Sequence, residues 1–121
     1  MKTYGHYVNG NHIAPSNNDT FESIDPYTGD VWAKVAKGSE VEVNQAVKAA
    51  KDALDGEWGS FSPTKRGKLL LSLAELSEKN AERLAEIEVR DNGKLMAEMA
   101  AQTAYMGEWY RYYGGLADKI E

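Results

Sequence analysis

Val31-Trp32-Ala33-Lys34-Val35-Ala36-Lys37-Gly38-Ser39-Glu40-Val41-Glu42 contains the change of rhythm on which the fold turns. Up to Ala36, Val31, Ala33 and Val35 alternate with Trp32 and Lys34, the period of two expected of a half-buried strand. From Ser39 onward the spacing is helical. Ser39 and Glu42 stand three apart, as a capping box requires: the hydroxyl serves a first-turn amide and the carboxylate reaches back to the cap amide. Val43, Ala46, Val47, Ala50, Ala53 and Leu54 then recur every three or four residues and form one apolar stripe. Gly56 is the predicted stop.

Upstream of this switch the chain reads as short strands and turns, over about residues 4–36. Tyr7-Val8-Asn9-Gly10-Asn11-His12-Ile13 sets Asn-Gly between apolar residues, a hairpin signal because both residues tolerate positive φ. Asp25-Pro26-Tyr27-Thr28-Gly29-Asp30 is a second turn, in which Pro26 fixes its own φ and Gly29 can take a left-handed position. Thr20 to Asp25 is the strand predicted to enter it.

Downstream the chain is helical, over about residues 39–119. Ser62 is a cap with Pro63 as the first helical residue, and Leu69, Leu70, Leu73 and Leu76 mark the expected core face. Asn80 is the predicted cap of a helix carrying Leu84, Ile87 and Val89. Asn92-Gly93 ends it, Gly93 suiting the left-handed exit. A last helix is expected from near Lys94. Its residues Met99, Thr103, Met106, Tyr110, Tyr113, Ala117 and Ile120 step by four and three, a seam built to lie on another element. Gly107, Gly114 and Gly115 sit within it at about 1 kcal/mol each against alanine, which predicts a close approach or a bend. The expected fold is short N-terminal strands and hairpins followed by about four amphipathic helices, mainly helical. No domain boundary is visible beyond the change of period near residue 38.

Composition bounds the function. The chain has 121 residues, 14 basic and 19 acidic, for a net charge of −5. That balance argues against a nucleic-acid or anionic-membrane partner, both of which need clustered cations. No stretch approaches the ~20 apolar residues of a membrane span, and Met1-Lys2-Thr3-Tyr4-Gly5-His6 is no signal peptide. A soluble, cytoplasmic protein is expected. There is no cysteine, which excludes disulfides, thiolate metal sites and a cysteine nucleophile within this chain.

Individual side chains add little chemistry. His6 and His12 fall short of the three or four ligands of a zinc site and read as partly exposed strand residues. Trp109, Tyr110, Tyr112 and Tyr113 around Arg111 could stack a base or a cofactor ring, but in an acidic chain they read better as core rings with hydroxyls at a polar rim. Glu75, Glu78, Glu82, Glu86 and Glu88 interleave with Lys79, Arg83 and Arg90 and read as solvated helix faces. Ser60, Ser62 and Thr64 suggest turn and cap chemistry; none lies in Gly-x-Ser-x-Gly. Neither Gly-x-Gly-x-x-Gly nor the P-loop pattern occurs.

The order of the pieces is more specific than any one of them. Tyr7-Val8-Asn9-Gly10 precedes Phe21-Glu22-Ser23-Ile24-Asp25-Pro26-Tyr27-Thr28-Gly29-Asp30-Val31, then Val35-Ala36-Lys37-Gly38 and Ala46-Val47-Lys48-Ala49-Ala50. Trp58, Arg66-Gly67-Lys68-Leu69-Leu70 and Leu73-Ala74-Glu75-Leu76 follow. Asp91-Asn92-Gly93-Lys94 and Tyr112-Tyr113-Gly114-Gly115-Leu116-Ala117-Asp118-Lys119 close the series. Taken together, from about Tyr7 to Glu121, the chain resembles the N-terminal portion of an NAD(P)-dependent aldehyde dehydrogenase. Leu95 departs from the resemblance, where the family often has proline.

The resemblance implies an α/β parent fold in which residues 1–121 are the incomplete start of the nucleotide-binding domain. It implies an oxidoreductase that converts an aldehyde to an acid through a cysteine thiohemiacetal and hydride transfer to NAD or NADP. A homodimer or homotetramer is implied for the parent. The nucleophile, the base, the oxyanion donors and the main dinucleotide contacts would all lie beyond Glu121. No catalytic and no cofactor-binding residue is therefore assigned in this chain, and it is expected to be inactive by itself. One site is carried over: the backbone carbonyl of Ile24 and the carboxylate of Asp91 match positions that hold a monovalent cation, Na+ or K+, in several members. Otherwise Asp91 caps or braces the Asp-Asn-Gly turn. The alternative function is a short non-catalytic interaction module that binds a partner through the Met99 to Ile120 helix face.

Overall fold

The computed structural model describes residues 1–119, which divide into two compact units, Met1–Ser60 and a second beginning at Phe61. The first unit holds β1 (Lys2–Tyr4), β2 (His6–Val8), β3 (Asn11–Ile13), β4 (Thr20–Ile24), β5 (Val31–Ala36), α1 (Glu40–Asp55) and α2 (Glu57–Ser60). The second holds α3 (Pro63–Lys79), α4 (Ala81–Asn92) and α5 (Met96–Leu116).

In the first unit, Asn9 and Gly10 both adopt positive φ, 51° and 77°. They join β2 to β3 in an antiparallel hairpin with Tyr7 opposite His12. A second sheet has the order β1-β5-β4. β4 pairs antiparallel with β5 through the Asp25–Asp30 turn, with an irregularity between Ser23 and Ile24. The Asp25 carboxylate accepts from Tyr27 N at 2.9 Å and Gly29 takes φ 75°, closing that turn. β1 pairs parallel with β5, Lys2 beside Ala33. The strand field thus starts at Lys2 rather than near residue 4, because the central strand has a free edge for a short polar segment to fill. With a neighbour on each edge, β5 is covered more evenly than an alternating strand: Ala33 and Ala36 are buried and the rest half-buried.

Helix α1 starts where the capping box places it. Ser39 is the N-cap and Gly56 the C-cap. The apolar stripe of α1 is not core, however. Val43, Val47 and Leu54 are exposed, and only Glu42 of this helix is buried. The period predicted an apolar face correctly; these residues do not supply its cover.

In the second unit Ser62 caps α3 with Pro63 in its first turn, the Ser62 hydroxyl accepting from Lys65 N at 3.2 Å. α5 packs most extensively on α3 and next on α4. The buried face of α3 is Gly67, Ala74 and Ser77, not the expected leucines. Of those only Leu70 is half-buried; Leu69, Leu73 and Leu76 are exposed. The facing residues of α5 are Met99, Gly107 and Gly114, all buried. Small residues let the two backbones approach: a Cβ on Gly67 would stand 2.5 Å from the Gly114 carbonyl oxygen. Close approach realises more dispersion contact than a leucine pairing would at greater separation.

Asn80 ends α3 and starts α4. Its side chain donates to Leu76 O at 2.8 Å and makes no cap bond to α4. Gly93 closes α4 in the left-handed conformation, φ 75°. α5 begins at Met96, two residues later than expected, with Leu95 as an extended N-cap that has no hydroxyl or carboxylate to offer.

Candidate functional site

Two carboxylates are tied into the fold by hydrogen bonds, Glu42 buried and Glu78 half-buried. In the first unit Glu42 accepts from Ser39 N at 2.7 Å and Ser39 Oγ at 2.6 Å. It also accepts from Ser16 N at 2.7 Å, which fastens the 14–19 loop to the start of α1. Hydrogen bonds from Ser39 first, and then from Ser16, hold its pKa well below the usual carboxylate range. A carboxylate that accepts three hydrogen bonds and holds its pKa low is a structural anion and a weak base.

In the second unit Glu78 takes Arg111 in a two-pronged pair, Nη2 to Oε2 at 2.7 Å with Nη1 on Oε1. The pair lies against Gly107, where any Cβ would meet the Glu78 carboxylate. The Arg111 hydrogen bond draws the Glu78 pKa down, and the Glu78 bond in turn holds the guanidinium proton more tightly. Glu78 was grouped with the solvated glutamates on charge pattern alone. The usable signal was its place beside Ser77 on the small-residue face of α3, opposite a glycine in α5.

The aromatic cluster is arranged differently from the expectation. Trp109, Tyr112 and Tyr113 are exposed, and only Tyr110 is half-buried. Tyr105 and Trp109 meet edge-on at 6.1 Å, and Tyr112 and Tyr113 at 5.2 Å. Arg111 is turned to Glu78 instead of lying over these rings. The rings are not core because glycine, not tyrosine, occupies the α3 contact.

The histidines do not converge on a metal. His12 is exposed and edge-on to Tyr7 at 5.0 Å. His6 is half-buried beside Gly38, its Nε2 atom buried without a hydrogen-bond partner. Among the described residues no group of three histidine, aspartate or glutamate side chains could hold a metal ion.

Of the two cation positions, Ile24 ends β4 in the first unit and Asp91 lies in the last turn of α4 in the second. The turn after Asp91 is braced by its neighbour: Asn92 Oδ1 accepts from Lys94 N, and Asn92 Nδ2 donates to Glu88 Oε1, both at 2.9 Å. Asp91 sits where the helix dipole adds partial negative charge, which favours a nearby cation. Both donors are oxygens, the set a hard cation takes. A cleft of about 410 Å³ opens between α4 and α5, lined by Glu82, Ala85, Glu86, Met96 and Ala100. It offers apolar floor and carboxylate rim, and no nucleophile. No helix among the described residues is long and apolar enough to cross a membrane.

Comparison with known proteins places this geometry. A family model described as the aldehyde dehydrogenase family matches residues 12–121. The chain is 46% identical over its full length to (Z)-2-((N-methylformamido)methylene)-5-hydroxybutyrolactone dehydrogenase of Acinetobacter baylyi, covering 25% of that protein. It is 43% identical over 93% of its length to aldehyde dehydrogenase family 2 member B4, mitochondrial, of Arabidopsis thaliana, covering 21%. Among solved structures, an NAD-dependent aldehyde dehydrogenase from Sinorhizobium meliloti superposes with TM-score 0.94 at 28% identity, over 98% of this chain and 24% of that one. Betaine aldehyde dehydrogenase from Staphylococcus aureus, solved in complex with NAD+, superposes with TM-score 0.91 at 31% identity, over 96% and 24%. The chain thus spans about a quarter of the length of the proteins it matches.

Proposed function

The chain belongs to the aldehyde dehydrogenase family, and on that premise we propose that it forms the opening part of the nucleotide-binding domain of an enzyme that oxidises an aldehyde to a carboxylic acid with NAD or NADP. The observation that carries the proposal is a match running through nearly the whole chain in both sequence and backbone. In such an enzyme a thiolate attacks the aldehyde and the nicotinamide accepts hydride. This chain has no cysteine, so its own contribution is structural. Within the first unit Glu42 fastens a loop to α1, within the second α5 packs on α3, and the reacting groups would be supplied elsewhere in the parent.

A monovalent cation, Na+ or K+, in the parent is part of the same proposal, Ile24 and Asp91 being the positions that the resemblance implies for it. What supports it is the chemistry of two oxygen donors, one of them at the negative end of α4. A homo-oligomeric parent is likewise proposed, in keeping with the family.

The reading as a free-standing partner-binding module through the Met99 to Ile120 face finds no support. The family match runs through that helix. The notches at Gly107 and Gly114 are filled by α3 of the same chain. Ile120 lies outside the described residues. The test is an assay of NAD or NADP reduction with a panel of aldehydes, run on the parent and on purified residues 1–121. Turnover by the parent with none by residues 1–121 is expected. Turnover by the 121-residue chain would overturn the structural role.

A further inference from the structure

Asn-Gly occurs twice in this chain, at Asn9-Gly10 and at Asn92-Gly93. The pair carries its own chemistry. A glycine amide nitrogen has no Cβ beside it to shield it, and it can attack the side-chain carbonyl carbon of the asparagine before it. The fold treats the two pairs differently. At the exit of α4, Gly93 N donates to Val89 O at 2.9 Å, so the attacking nitrogen is engaged. Asn92 Nδ2 donates to Glu88 Oε1 and Asn92 Oδ1 accepts from Lys94 N, both at 2.9 Å, so its amide is held at both atoms. At the β2–β3 tip, Asn9 and Gly10 are exposed. A Cβ on Gly10 would meet nothing within 4 Å. Among the described residues no hydrogen bond engages the Asn9 side-chain amide or Gly10 N; Asn11 Nδ2 holds only the Asn9 main-chain oxygen.

Both tip residues hold positive φ, and attack waits until that turn relaxes towards an extended backbone. Relaxation is a small event here: it releases a two-residue turn between strands of 3 residues each, and exposed tips open at low cost. At Asn92 the same relaxation breaks the last turn of a 12-residue helix. We propose that Asn9 is a modification site, where the chain loses ammonia and gains an isoaspartyl link. Gly10 N bonds to Asn9 Cγ, the Cγ–Nδ2 bond breaks, and the Gly10 amide proton leaves with the ammonia. Water then opens the five-membered imide. Opening at the side-chain carbonyl gives aspartate. Opening at the main-chain carbonyl gives isoaspartate, with one more methylene in the main chain.

The added methylene spoils a turn whose two residues must both hold left-handed φ. The Val8–Asn11 pairing is then lost, and β2 loosens from α1, on which it packs. The partner class that recognises the product is a methyltransferase that esterifies isoaspartyl carboxylates with S-adenosylmethionine. For the test, the parent is aged in warm, mildly alkaline buffer, natively and in guanidinium chloride. Mass mapping follows the exchange of –NH2 for –OH in the peptides containing Asn9 and Asn92. An isoaspartyl methyltransferase with labelled S-adenosylmethionine counts the isoaspartate.

In the native parent Asn9 should convert at least about tenfold faster than Asn92, because each rate waits on local opening. In guanidinium chloride the two rates should converge. Asn9→Gln, which must close a six-membered ring, should remove most of the methyl acceptance, and Asn92→Ser should leave it unchanged. Native conversion at Asn92 as fast as at Asn9 would overturn the proposal. So would an Asn9 that stays intact while the denatured sample converts, or methyl acceptance that survives Asn9→Gln. None of these readouts uses catalytic activity, so the functional reading stands or falls separately.

Discussion

Glu42 ties the helix start at Ser39 by two short hydrogen bonds and a loop 26 residues away in sequence by a third, and its pKa falls below the ordinary value of 4.5 as a result. A carboxyl group whose pKa is depressed on folding stabilises the fold above its unfolded value, and that stability is lost as pH falls through the folded value. The melting temperature of the chain should therefore drop as pH is lowered from 7 through the carboxylate range to about 2. Glu42→Gln should flatten this acid dependence; an unchanged pH profile would count against the role. The glycines give a sharper contrast. Gly67→Ala brings a Cβ to 2.5 Å from the Gly114 carbonyl oxygen. It should destabilise by about 1–3 kcal/mol, overpacking outweighing the helical gain. Gly115 has nothing within 4 Å of its would-be Cβ, and Gly115→Ala should stabilise by up to about 1 kcal/mol. Denaturant melts of the two variants read the difference directly.

At the scale of elements, the caps were legible and the faces were not. Ser39, Ser62 and Gly93 announce helix ends by chemistry that acts over three or four residues, and each stands where expected. Ser39→Ala should cost about 1 kcal/mol, seen as a lower melting midpoint with helix content otherwise retained. The short α2 (Glu57–Ser60) carried no periodic signal and was not foreseen. The core face of α3 was assigned to leucine because periodicity ranks residues by hydrophobicity. The contact actually formed is chosen by how closely two backbones can approach, which glycine and serine decide. The Glu78–Arg111 pair was missed for a related reason: a pair 33 residues apart is set by helix packing, and charge pattern along one helix carries no trace of it.

At the scale of the whole molecule, family membership was readable from the order of many weak pieces, whereas the chemistry of the parent was reached only through that resemblance. The proposed cation gives a direct measurement on the parent. Potassium or sodium should raise its melting temperature by mass action relative to a bulky organic cation at equal ionic strength. Asp91→Ala should remove the difference; a rise that survives the substitution would place the ion elsewhere. The close approach of α3 and α5 has a further consequence for how freely this segment can vary. With the Gly67, Ala74 and Ser77 side closed to added volume, tolerance of random substitution should be greatest on the opposite track Lys68, Ser72, Glu75 and Lys79, all exposed. Sequence drift among descendants of this chain would then accumulate along that track, leaving α3 a slow-changing marker inside a faster-changing surface.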